Sequence, residues 1–382
     1  MEKEKNGVKA NDSCHTPISC EKMPRALCIV LIIVFIGTLL SFSINILISS
    51  YFDPDDFCDD YYDGEERDGM FLSDFADAFY KGTGVRDFVV NADYLFYGNL
   101  RSDSVLLGKN GFIFDVYDVD GDYNYIADYV GESLTDEEYL ASIAEGIAAV
   151  RRPFIEAGSQ CSVVIIPNAQ TVYGELMPDY FGEISNNTVL KRLTEYMKKI
   201  NADGYFDMTD VLLAAKGDGQ LYNNTENSLN SLGAYYVYRA LVGSIPANER
   251  GEMRVIDRSD ISLNYYNTEG KALARRAGIE ALHFNRTVSV EFAFAQNYSI
   301  FPRINGVEKT YNTDFSGGLV IHLECINEWD KIMLGEYFSN SFRTVGCRVG
   351  ANDTKNLFET IAPDITYIFV HEYQLSMFAE AN

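Results

Sequence analysis

Ser162-Val163-Val164-Ile165-Ile166-Pro167 is the run whose reading decides the fold. Four branched apolar residues in succession, stopped by a proline, read as a short buried strand. On its amino-terminal side, Thr135 and Glu138 fit a capping box. Tyr139, Ile143, Ile147, Val150 and Phe154 then recur at helical spacing, and Gly158 ends that helix. On the other side, Val189, Leu190, Leu193, Tyr196, Met197 and Ile200 line one face of a second helix, which closes at Asn201–Gly204. YFDM (205–208) is another brief strand, and Leu232 to Val242 a further helix. Residues 255–315 mix aromatic and polar residues without a period and read as an irregular insert. Regularity returns with a strand at GLVIHLE (318–324), a helix around Asp330–Phe338 and a strand at Arg343–Val345. A helix near 354–361 and the strand DITYIFV (364–370) follow. Strands alternating with covering helices predict an α/β fold, with a mainly parallel sheet, right-handed crossovers and helices on both faces.

Ahead of this domain, Ala26 to Tyr51 (ALCIVLIIVFIGTLLSFSINILISSY) carries no charge. As a helix it would reach roughly 39 Å, enough to cross a hydrocarbon core of about 30 Å with some tilt. No small-residue cleavage site follows it, so an uncleaved anchor is expected. Residues 1–25 hold Lys3, Lys5, Lys9, Lys22 and Arg25, while Asp53, Asp55, Asp56, Asp59 and Asp60 open the other flank. The excess of cations predicts a cytosolic tail at 1–25, a single span at 26–51 and an extracytoplasmic main domain. Residues 52–69 form an acidic juxtamembrane stalk, and the domain occupies 70–382.

From residue 50 onward there are 26 Lys and Arg against 52 Asp and Glu. Such a surface argues against nucleic acid or an anionic polymer as partner, since binding either needs cations to displace counterions. Cys14, Cys20 and Cys28 lie in the tail or span, and Cys58, Cys161, Cys325 and Cys347 outside. Four scattered cysteines make no disulfide framework, and without a C-x-x-C pair they make no zinc site. DVYDVDGDYNYIAD (115–128) looks like a calcium loop, but Val116 stands at the first ligand position and no Glu closes the loop. Neither metal nor cofactor is expected.

Six blocks, in order, carry a resemblance. They are Gly84-Val85-Arg86-Asp87 with VLLGKNGFIF (105–114), PNAQTVYGELMP (167–178), TENSLNSLGA (225–234), GKALARRAG (270–278), HLECIN (322–327), and Ala362-Pro363-Asp364 with Glu372. Across roughly residues 70–380 the chain resembles the alginate O-acetyltransferase-like branch of the SGNH hydrolases, the AlgX/AlgJ or DHHW type. The resemblance implies a permuted flavodoxin-like sheet with strands ordered 343–345, 318–324, 364–370, 162–167, 205–208. Ligands of such sheets bind beyond the carboxyl ends of the strands. Here that edge would be built by 167–173, 225–230, 324–327 and 371–372.

The family's chemistry needs a serine nucleophile, a histidine base and an aspartate to orient it. At the positions matching that triad this chain has Cys325, Ser228 and Glu226. A serine has no titration near neutral pH with which to accept a proton, and Glu226 has no imidazole to orient. The Cys325 thiol, with an ordinary pKa of about 8.5, stays protonated unless a cation or base intervenes, and Glu324 acts the other way. One candidate substitute base remains, His371, with Glu372 or Glu226 as its orienter; its alternative is a hydrogen-bonded structural role. His322, inside a strand pattern, reads as a buried core residue. Tyr173, Gln170, Asn230 and Glu372 are candidates for substrate binding. Tyr173 suits either a sugar cleft or the edge of a core, and Gln170 replaces the family's usual lysine.

The reading that follows is a catalytically degenerate relative, which serves cell-envelope polysaccharide O-acetylation or assembly by binding or scaffolding. By analogy its partner would be a membrane-bound O-acyltransferase. The competing readings are an active O-acetyltransferase or acetylesterase using Cys325, and an adhesion or interaction domain of unrelated ancestry.

Overall fold

The computed structural model describes residues 36, 90–91, 94–96, 98, 100, 102–118, 121–133, 135–246, 255–293, 298–304, 307–312, 318–322, 340–345 and 365–379. For 298–345 only the backbone is described. In chain order the elements are β1 (Val105–Leu107), β2 (Ile113–Asp115), α1 (Tyr125–Val130), α2 (Glu137–Glu156), β3 (Gln160–Ile166), α3 (Ala169–Val172), α4 (Val189–Lys199), β4 (Tyr205–Asp207), α5 (Thr209–Ala215) and α6 (Ser231–Ser244). There follow β5 (Ile261–Thr268), α7 (Ala272–Arg276), β6 (Asn285–Phe292), β7 (Tyr298–Ile304), β8 (Val307–Asn312), β9 (Gly318–His322), β10 (Asn340–Val345), β11 (Ile365–His371) and α8 (Ser376–Ala379). The anchor predicted at 26–51 lies outside the described residues, Ile36 apart. So do the helices predicted near 330–338 and 354–361. No helix among the described residues is long and apolar enough to cross a membrane.

The main sheet runs β4-β3-β11-β9-β10-β8-β7. Its first five strands are parallel and stand in the order that the resemblance implies. β3 is unbroken in its apolar run because both of its faces are covered. Val164 and Ile166, with Tyr367 and Phe369 of β11, join a core with Leu232, Tyr235, Tyr238 and Leu241 of α6. Val163 and Ile165, with Ile368 and Val370, join the opposite core with Ile143 and Ile147 of α2 and Leu193 of α4. Each of these side chains is at most 4% exposed. Full burial of a large aliphatic residue contributes about 1.5–3 kcal/mol, so this two-sided sandwich holds the sheet.

Three local expectations change. The cap of α2 is Asp136, whose carboxylate accepts from the Tyr139 backbone N–H at 2.8 Å. Thr135 is one residue too early for that role and its hydroxyl donates to Asn187 Oδ1 instead. Ile200 is 47% exposed, because α4 ends at Lys199 and Asn201 turns the chain with φ of 51°. The stretch 255–315 is regular: β5 and β6 form an antiparallel ribbon, and β7 and β8 extend the sheet antiparallel from β10. Its period is hidden because four successive residues of β5, Asn264 to Asn267, are exposed, so neither face writes a clean alternation.

Candidate functional site

β3 and β11 end side by side, with Ile166 paired to His371. Beyond them Pro167 turns the chain into α3, and Asn168 starts it. Glu372, 1% exposed, spans the gap: its Oε2 accepts from the Asn168 N–H at 2.7 Å and from Thr171 Oγ1 at 2.7 Å. The loop before α6 closes the crevice from the far side. A bridge between Tyr222 and Leu229 narrows it, and Asn227 Oδ1 accepts from the Ala169 N–H at 2.9 Å. Tyr222 is wholly buried and its hydroxyl donates to the Pro167 carbonyl at 2.5 Å, which fixes the loop against the strand end.

The crevice is polar. The Asn227 side chain meets the Tyr125 hydroxyl, while Asn168 Oδ1, Gln170 Oε1 and Glu372 Oε1 are buried without a hydrogen-bond partner among the described residues. Leaving such a group unpaired costs about 1–3 kcal/mol, and clustering of three at one strand edge is uncommon in a structural core. Two carbonyl acceptors and one carboxyl suit a ligand rich in hydroxyl or amide groups. Burial pushes the Glu372 carboxyl up to about 8, and the charge of Asp128 adds to it. Burial likewise raises Asp128, which accepts from the Tyr123 hydroxyl at 2.7 Å and from the Val189 N–H at 2.8 Å. At neutral pH Glu372 is therefore a hydrogen-bond donor as well as an acceptor.

The predicted site residues divide. Gln170 is at the crevice, with its amide donating to the Asp115 carbonyl at 2.8 Å. Tyr173 is 6% exposed and packs on Phe112 and Tyr222; its hydroxyl accepts from the Leu221 N–H at 2.9 Å and burial pushes it up to about 12. Asn230 caps α6: its Oδ1 accepts from the Leu232 and Gly233 N–H groups and its Nδ2 donates to the Gln220 carbonyl at 2.6 Å. Both of these side chains spend their polar atoms on holding the fold. Ser228 is buried, and its hydroxyl accepts from Asn223 Nδ2 at 3.1 Å. Glu226 is half-buried two residues away. Cys325 lies outside the described residues.

His371 ends β11 and is 2% exposed, with its ring stacked on Tyr373. Tyr373 in turn packs on Tyr123 and Tyr125, which also meet each other. Burial lowers the His371 imidazole to about 4. It stays neutral at pH 7 and holds a transferred proton poorly. β11 pairs with β9, Phe369 opposite His322, which sets His371 on the strand beside the one that leads to Cys325.

Residues that the sequence did not single out for the site are Asn168, Asn227, Tyr123 and Asp128. Asn168 and Asn227 sit inside two of the blocks quoted above, beside positions that were chosen. Asp128 sits in a helix between Tyr125 and Tyr129, both buried, and a carboxylate between buried aromatics is a signal of an internal partner. Among the described residues no cluster of His, Cys, Asp and Glu could hold a metal ion.

A largely parallel sheet with helices on both faces and a polar crevice past its carboxyl edge define an α/β fold of the kind whose ligands bind beyond the strand ends. The chain is similar to Bacillus cereus PatB1 with a sulfonyl adduct, at TM-score 0.51 and 8% identity over 72% of this chain and 97% of that one. It also resembles the O-acetyltransferase domain of Pseudomonas putida AlgJ, at TM-score 0.49 and 14% identity over 72% and 92%. A DHHW family protein from Eubacterium siraeum follows, at TM-score 0.46 and 12% identity over 73% and 98%. At these identities the likeness is one of fold alone. No family model and no curated protein sequence matches the chain.

Proposed function

We propose that this chain is a membrane-anchored, catalytically degenerate relative of the AlgX/AlgJ-type domains, displayed outside the cytosol. It serves cell-envelope polysaccharide O-acetylation or assembly as a glycan-binding or scaffolding subunit, beside a membrane-bound O-acyltransferase. One observation carries the reading. At the position of the family's base stands Ser228, a buried hydroxyl already engaged by Asn223. General-base assistance is worth about 10²–10⁴-fold in rate, and no group at that position can supply it. The crevice keeps its polar, hydroxyl-seeking character through Asn168, Gln170 and Glu372, which supports binding without turnover.

A second reading is an active O-acetyltransferase or acetylesterase, with Cys325 as nucleophile and His371 as base. The placement of His371 at the end of the strand next to β9 favours it. Its burial and low basicity count against it, since the first step would leave an imidazolium in a buried site. Release of the chromophore from a chromogenic acetyl ester separates the two. The degenerate reading expects equal, background rates for wild type and Cys325→Ala; Cys325-dependent turnover would overturn it.

A further inference from the structure

The ribbon formed by β5 and β6 carries a groove of its own, separate from the crevice, with a volume of about 280 Å³. Its lining is Gln220, Tyr265, Tyr266, Asn267, Arg286 and Thr287. Tyr265 and Tyr266, 58% and 44% exposed, each leave an aromatic ring in water. Tyr265 is braced rather than loose: a Cβ at Gly219 would lie 2.6 Å from its hydroxyl, so glycine there lets the ring close in. Tyr265 shares its face of the ribbon with Asn267 and the cross-strand Arg286, while Tyr266 and Thr287 lie on the other face.

The polar members are oriented in advance. Gln220 spends its amide hydrogens on the Tyr222 carbonyl at 2.7 Å and the Arg286 carbonyl at 2.9 Å. That locks the amide and leaves its carbonyl oxygen as acceptor. The Arg286 guanidinium donates to the Asn110 carbonyl. It has no carboxylate partner among the described residues, although the chain carries a formal charge of −25. A fixed acceptor, a fork of fixed donors and exposed aromatic faces match a ring that has hydroxyls at its rim and C–H groups on its faces. The chain's net charge of −25 disfavours a polyanion.

We propose that this groove binds a pyranose ring of a neutral glycan, with the Tyr265 ring against a C–H face and Arg286, Gln220 and Asn267 on the hydroxyls. The assignment rests on the glycan-binding reading above and gives it a second subsite. The groove and the crevice are linked through Asn230, which caps α6 and holds the Gln220 carbonyl.

Full-length chain in detergent is titrated calorimetrically with neutral hexasaccharides of β-linked glucose, β-linked N-acetylglucosamine and α-linked mannose, and with a uronic-acid hexasaccharide. Wild type should bind at least one neutral hexasaccharide. Tyr265→Ala should weaken that binding at least tenfold and Arg286→Gln at least threefold, each with an unchanged melting temperature. Equal affinity in wild type and both variants would place the glycan elsewhere, ending the groove assignment while the glycan-binding reading stands. Binding of no oligosaccharide by wild type would end both. Preference for the uronic-acid chain would overturn the neutral assignment.

Discussion

Glu372 Oε2 lies 2.7 Å from the backbone nitrogen of Asn168, so one carboxyl group ties the end of β11 to the end of β3. The two residues are 204 positions apart in the chain, and everything in the crevice is arranged around that contact.

Burial holds the Glu372 proton from its ordinary 4.5 up to about 8. Between those values the folded chain keeps a proton that the unfolded chain has released, so stability falls as pH rises. Glu372→Gln removes this term. Its stability should gain on wild type by on the order of 2 kcal/mol between pH 5 and pH 8, as read from urea unfolding. Parallel curves for the two proteins would contradict it.

His371 acts in the opposite direction. Its imidazole drops from 6.5 to about 4, so on acidification the unfolded chain takes a proton first. The contribution is complete above pH 6.5 and is lost as pH falls towards 4. His371→Gln should lose roughly 2–3 kcal/mol less than wild type between pH 7 and pH 4 in the same unfolding measurement.

The central parallel strands are legible as apolar runs, as at Val163–Ile166 and Ile365–Val370, whereas β4 and β10 are short and mix polar residues into the run. Their order came from the resemblance, since periodicity says nothing of neighbours. The ribbon at Ile261–Phe292 was not legible: Asn264 to Asn267 face solvent on both sides, which erases the period-2 signal. Within the site, Gln170, His371 and Glu372 could be named from the blocks. The partnership of Asp128 with Tyr123 could not, because nothing local announces which buried carboxylate meets which hydroxyl.

Asn230 tests whether a matched motif residue serves the ligand or the fold. Its amide oxygen caps α6 and its amide nitrogen holds the Gln220 carbonyl. Asn230→Ala should cost about 1–2 kcal/mol through the cap alone. Asn230→Asp, which keeps the acceptor, should recover part of that in thermal unfolding.

Asp115, 5% exposed, is raised to about 7 by burial, against the pull of the Arg276 ion pair. Arg276 also donates to the Ser104 and Tyr117 carbonyls, fastening α7 to the β1–β2 hairpin. Arg276→Gln leaves the carboxylate without its cation and should cost about 3 kcal/mol. Adding Asp115→Asn should restore a large part, and a double variant no more stable than the single one would contradict the pairing.

Catalytic degeneracy requires that no base among the described residues of the crevice opens an acyl-transfer cycle at Cys325. Its most direct measurement is the intact mass of full-length protein after incubation with an acetyl ester, beside Cys325→Ala. The account predicts identical spectra, with no acetyl increment that depends on Cys325. An acetyl group that builds up on wild type within one turnover and is missing from Cys325→Ala would contradict it.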